Sequence, residues 1–110
     1  MPILTPDYSN LNYSEIAASI GLKEKYLPIL LGSFVDETKT ILVELQKAID
    51  ATDYKNIKLH AHSIKGSSGN LKLNEIYEMA KEIEASASDT DSSFNYQGYL
   101  TAIDNALNTL

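Results

Sequence analysis

The sequence predicts an all-α fold: an antiparallel up-down-up-down four-helix bundle with a short extra helix at the N-terminus. Three observations predict it. Apolar residues recur at spacings of three and four through four long segments, the period of a helix with one buried face. No segment alternates apolar and polar residues long enough to make a strand. Short polar breaks join the segments, which makes successive helices antiparallel neighbours. At 110 residues the chain fits one domain, 1–110, with an extended lead over 1–11 and a helical bundle over 12–110.

The lead carries two prolines among polar residues. Asn12 or Ser14 is placed to cap a short helix through about Ile20, with Gly21 as the residue that ends it. Ile16, Ala17 and Ile20 form its small apolar face, and it is expected to lie across one end of the bundle. The longest periodic segment runs from Lys23 to Ala51. Leu27, Leu31, Phe34, Thr38, Ile41, Leu45 and Ala48 make its stripe, widened by Leu30, Val35, Leu42 and Ile49. Pro28 lies close to its start, where a missing N–H costs little. Gly32 weakens it by about 1 kcal/mol relative to alanine and suggests close approach of a neighbouring helix.

Thr52 or Asp53 caps the next helix, through about Asn70, with Ile57, Ala61, Ile64, Ser68 and Leu71 on one side. After a break around Gly69–Leu73, Asn74 is expected to cap a helix to about Ala87. Ile76, Ala80, Ile83 and Ala87 line it, with Leu73 and Tyr77 beside them. Ser86–Ser93 reads as a polar turn. The last helix runs from about Asn95 to Thr109, with Tyr96, Tyr99, Leu100, Ile103, Leu107 and Leu110 on its stripe.

Composition narrows the function. Hydrophobic residues make up 44% of the chain, enough for a packed core. There is no cysteine, hence no disulfide, thiolate metal site or cysteine nucleophile. The net charge is −6 and every basic residue is lysine, a poor match to nucleic acid. No apolar run approaches the ~20 residues of a membrane span, and the first residues lack the pattern of a signal peptide. The cytoplasm is the expected compartment and a monomer the expected state.

The chemistry concentrates between Leu59 and Leu73, which holds both histidines and two of the five glycines. Each helical residue turns about 100°, so with Ile57 at zero, Ala61, Ile64, Ser68 and Leu71 fall within about 40° of it. His62 falls at about 140°, near Lys58, Lys65, Gly66 and Gly69, while His60 leans toward the bundle at about −60°. The two histidines point about 160° apart and cannot chelate one ion, so no metal site is expected. Gly66 and Gly69 cost about 1 kcal/mol each relative to alanine. They clear side chains from the surface beyond His62, which suits a partner that must reach the imidazole. Lys65, one turn on, reaches the same space as an anion held on His62. Leu59 is an apolar residue on the outer face beside it.

Ala61–Leu71, reading Ala-His-Ser-Ile-Lys-Gly-Ser-Ser-Gly-Asn-Leu, resembles the signature of histidine-containing phosphotransfer (HPt) domains, the shuttle modules of two-component phosphorelays. The family pattern is a histidine, a lysine three residues on, a glycine immediately after it and small residues beyond. Here these are His62, Lys65 and Gly66, then Ser67, Ser68 and Gly69. The family fold is a four-helix bundle with the histidine halfway along one helix, so the resemblance extends over nearly the whole chain. The family often places Gln or Glu on the following helix against the ring, a position that matches Glu84. A carboxylate there accepts the Nδ1–H and leaves the Nε2 lone pair free.

The resemblance implies that His62 takes a phosphoryl group from a receiver-domain aspartate and passes it to another. Lys65 offsets phosphate charge and Glu84 orients the ring. Lys55, Lys58, Leu59, Gly66 and Gly69 are expected to line the receiver contact. Response-regulator receiver domains and a histidine kinase are the implied partners. The chain is expected to be a phosphoryl carrier rather than a turnover enzyme, with no cofactor of its own and Mg²⁺ on the receiver. The alternative is a chemotaxis-kinase-type phosphoacceptor module, phosphorylated directly by a histidine kinase with ATP.

Overall fold

The computed structural model describes residues 3–110, and among them every regular element is helical. Helix α1 spans Tyr13–Ser19, a 3₁₀ turn Glu24–Tyr26, α2 Leu27–Asp50, α3 Tyr54–Asn70, α4 Asn74–Ser88 and α5 Tyr96–Leu107. Helices α2, α3, α4 and α5 each pack on their chain neighbours, and α5 closes the ring against α2. The long axis is 42 Å, close to the roughly 36 Å expected of α2 alone. No helix of the described residues is long and apolar enough to cross a membrane.

Side-chain caps start three helices where polar residues permit it. Asn12 accepts from Glu15 N–H, Asp53 from Asn56 N–H and Asn95 from Gly98 N–H. Helix α2 begins differently from the sequence expectation. Pro28 has no N–H to return to the Glu24 carbonyl, and that carbonyl instead accepts from Leu27 three residues on, so the entry is a 3₁₀ turn. Helix α4 also departs from expectation. Asn74 is its first residue, and the cap position is Leu73, which offers no side-chain acceptor.

The lead supplies the missing cap. The buried Tyr8 hydroxyl accepts from Ile76 N–H at 3.3 Å, in the first turn of α4, and donates to Glu75 Oε2 at 2.8 Å. Tyr8 N–H also donates to Thr109 Oγ1 at 2.8 Å, fastening the lead to the end of the chain. Burial, followed by the bond to the Glu75 carboxylate, pushes the Tyr8 phenol above its ordinary value.

Four helices end in one way. Gly21, Thr52, Lys72 and Thr90 adopt positive φ after α1, α2, α3 and α4. The next N–H then bonds back to a carbonyl five residues earlier: Leu22 to Ala17, Asp53 to Ala48, Leu73 to Ser68 and Asp91 to Ser86. Only the first of these positions is glycine.

The core is contributed by one stripe per helix. In α2 it comprises Leu27, Leu31, Phe34, Thr38, Leu42, Leu45 and Ala48. Leu42 takes the place that spacing assigns to Ile41, which is half-buried, and Leu30 is exposed. Ile57, Ala61, Ile64 and Ser68 face inward from α3, and Ile76, Met79, Ala80, Ile83 and Ala87 from α4. Buried Ser68 donates to the Ile64 carbonyl at 2.6 Å, so its hydroxyl sits in the core with a partner. Gly32 is exposed and a Cβ there would meet nothing, so it does not mediate the close approach expected of it.

Candidate functional site

The inward stripe of α3 fixes what its other side presents. With Ala61 and Ile64 buried, the residue between them at His62 turns outward, and its side chain is 67% exposed. His60 is half-buried. On α4, burial of Ile83 and Ala87 places Glu84 at the seam with α3, where its side chain is 15% exposed.

The two meet. His62 Nδ1 lies 2.6 Å from Glu84 Oε2. The other carboxylate oxygen, Oε1, accepts from Lys65 Nζ at 2.5 Å, and the Lys65 side chain is 26% exposed. Burial is the largest influence on the Glu84 carboxyl and pushes it up. The hydrogen bonds from Lys65 and His62, aided by their charges, outweigh it and hold the group below the usual glutamate range. The same bond to Glu84 raises Lys65, against a smaller opposing effect of burial. An ionised carboxylate only accepts, so the proton on the shared line belongs to Nδ1. In the neutral ring Nε2 then carries the lone pair. The arrangement is an exposed imidazole with its inner nitrogen tied to a carboxylate from behind.

Lys65 is therefore engaged with Glu84 rather than standing free over the outer face. Lys55, Lys58 and Leu59 are exposed and, with His62 and Glu84, line a surface depression of about 330 Å³. Leu59 is 57% exposed. The two glycines part company. A Cβ on Gly66 would meet nothing within 4 Å, so the surface beside His62 is open there. A Cβ on Gly69 would lie 3.1 Å from Cδ2 and 3.4 Å from Cε2 of Tyr77, so Gly69 faces α4 rather than a free surface. Tyr77 is the neighbour that reading α3 alone leaves out. Its signal in the sequence is the seven-residue spacing shared by His62–Gly69 and Tyr77–Glu84. Among the described residues, no group of three or more His, Asp or Glu is placed to hold a metal ion.

Fold and site together define a class: a helical bundle built to display one surface imidazole with its inner nitrogen tied to a carboxylate. The Hpt domain family model matches residues 29–110, most of the chain and all of the site, and the chain belongs to the Hpt domain family. No significant match was found among curated proteins or solved structures. Hpt domains act in phosphorelays as histidine phosphocarrier modules that interact with kinases and response regulators.

Proposed function

We propose that His62 is the phosphoacceptor of this domain and relays a phosphoryl group between receiver-domain aspartates. The observation that carries this reading is the division of labour on one ring: Nδ1 is tied to Glu84 at 2.6 Å while the side chain is 67% exposed. The Nε2 lone pair attacks the phosphorus of a receiver aspartyl-phosphate. An N–P bond forms, the P–O bond to the aspartate breaks, and the aspartate leaves as a carboxylate. The imidazole becomes cationic, still bearing its Nδ1 proton, and Glu84 stabilises that charge as it develops. Transfer to a second aspartate runs the same steps in reverse.

In this reading Lys65 holds Glu84 ionised and in place. Lys55, Lys58 and Leu59 meet the receiver, and open Gly66 admits its backbone. Mg²⁺ belongs to the receiver and the chain uses no cofactor. Residues 1–110 act as one monomeric carrier domain in the cytoplasm. The test is phosphoryl transfer from a labelled phospho-receiver. The label on this chain should be acid-labile and alkali-stable, and absent from His62→Gln. Label retained in that variant sinks the assignment.

A second reading rests on the chemical nature of the group behind the ring. It is a carboxylate, a feature that suits a module phosphorylated directly by a chemotaxis-type kinase with ATP. A kinase–ATP mixture that labels His62, with no transfer from any phospho-receiver, favours that reading over the relay.

A further inference from the structure

We propose that Gly69 is a positioning residue: it sets the separation of α3 and α4 at which Glu84 reaches His62. The inference rests on the phosphoacceptor reading of His62 but is tested without phosphoryl transfer. His62 meets Glu84, and Gly69 meets Tyr77. From the first pair to the second, the chain advances seven residues on α3 and retreats seven on α4. A seven-residue step returns a helix to nearly the same face, about 10 Å along its axis. The two contacts therefore lie on one antiparallel seam, two turns apart and in one register.

The seam is tight at the Gly69 end. The Tyr77 ring edge already lies where a Cβ at 69 would be 3.1 Å from Cδ2, tighter than side chains ordinarily pack. Any larger residue at 69 must displace the ring by a few tenths of an ångström. The N-terminal turn of α4 is held by the fully buried Ile76, whose N–H bonds Tyr8, so the ring yields either by turning about its own side-chain bonds or by pushing the seam apart further along α4, toward Glu84. The proposal is the second. At the other end the His62–Glu84 bond, at 2.6 Å, is short and directional, and it loosens when α4 moves out. Gly66 lies one turn from His62 on the same helix but meets nothing, so it supplies the matched control.

The experiment compares Gly69→Ala, Gly66→Ala and Gly69→Ala/Tyr77→Leu with the wild type, all unphosphorylated. The readouts are the NMR shifts of the His62 ring nitrogens and of the proton on Nδ1. Gly69→Ala should move both away from the fixed tautomer, Gly66→Ala should leave them in place, and the double variant should bring them back. Single-turnover transfer from a phospho-receiver should then fall roughly three- to tenfold in Gly69→Ala and recover in the double variant. An unchanged ring signature in folded Gly69→Ala overturns the proposal, because Tyr77 has then turned aside without moving α4. If Gly69→Ala does not fold, failure of the double variant to restore the wild-type signature overturns it equally. A wild type that takes no label on His62, with ring signatures as stated, refutes the phosphoacceptor reading and leaves the spacer role of Gly69 standing.

Discussion

Replacing Glu84 by glutamine changes one oxygen of the side chain to nitrogen and removes a charge, with the volume conserved. Glu84 faces two donors, His62 Nδ1 at 2.6 Å and Lys65 Nζ at 2.5 Å. Glutamine has one oxygen to accept with, and its amide NH₂ must face the other donor. If the oxygen stays with His62, the tautomer survives but the ring loses its counter-charge as it becomes cationic. Two unit charges about 4 Å apart at an effective dielectric near 20 interact by about 4 kcal/mol. The ring is 67% exposed, so solvent screens much of this. A loss of about 1–2 kcal/mol in the transition state is the reasonable remainder. That is a roughly five- to thirtyfold slower transfer. The assay is single-turnover quenched-flow transfer from a saturating phospho-receiver, with His62→Gln as the blank. Glu84→Ala removes the orienting acceptor as well and should be slower still. A Glu84→Gln rate within about twofold of wild type refutes the electrostatic role assigned to this carboxylate.

Four further outcomes follow. The Glu84–Lys65 pair makes stability pH-dependent at both ends. A lowered Glu84 contributes fully above its unfolded value of 4.5 and loses the contribution as pH falls through the folded value; a raised Lys65 contributes below 10.5 and loses it as pH rises through its folded value. Lys65→Met should therefore flatten the stability profile at both extremes, read as urea midpoints against pH. Tyr8→Phe leaves Ile76 N–H and Glu75 without their partner and should cost about 1–3 kcal/mol in urea unfolding, with His62 still able to accept label. Gly32→Ala, in open space in mid-helix, should stabilise by about 1 kcal/mol in the same measurement. Leu59→Asp should leave the unfolding midpoint nearly unchanged but raise the receiver concentration needed for half-maximal transfer; an unaltered concentration dependence removes Leu59 from the docking face.

The helices were legible because each buries one stripe, and a stripe is a property of a single segment. Every residue of the stripe predicted for α3 is buried, and only His60, predicted to lean toward the bundle, is half-buried. Their ends were harder to read. The usual marker of a helix end is glycine at positive φ, yet three of the four such positions are Thr52, Lys72 and Thr90. The start of α4 departs from the local pattern for a related reason. Asn74 is the polar residue that local rules select, but the N–H group that needs a partner finds it in Tyr8, far away in the chain. Caps supplied from a distance leave no local pattern. Thr90→Gly should on this account stabilise the protein, since a β-branched residue at φ 50° gives up more than glycine's extra chain freedom costs.

The site shows the same boundary between what one helix determines and what two helices determine together. Angles around α3 alone suffice to turn His62 outward and His60 toward the bundle, because those angles are measured against α3's own stripe. They place Lys65 and Gly69 on the outer side as well, and there they mislead. Lys65 lies beside the stripe, and Gly69, at about 120° from Ile57, has no side chain to hold a neighbour off, so a neighbouring helix decides between solvent and contact at both. Helix α4 is that neighbour, and it brings Glu84 to Lys65 and Tyr77 to Gly69. The consequence for charge is specific. Lys65 and Glu84 neutralise each other, so the free protein offers the incoming phosphoryl group no unpaired cation from this pair. In the proposed relay, a phosphoryl group on Nε2 would carry close to two negative charges and compete with Glu84 for Lys65. If Lys65 crosses to the phosphate, Glu84 keeps only the cationic ring as partner and their bond strengthens. Lys65→Gln should therefore shorten the lifetime of the phosphorylated form more than it slows its formation. Equal effects on the two rates would assign Lys65 to Glu84 throughout the cycle.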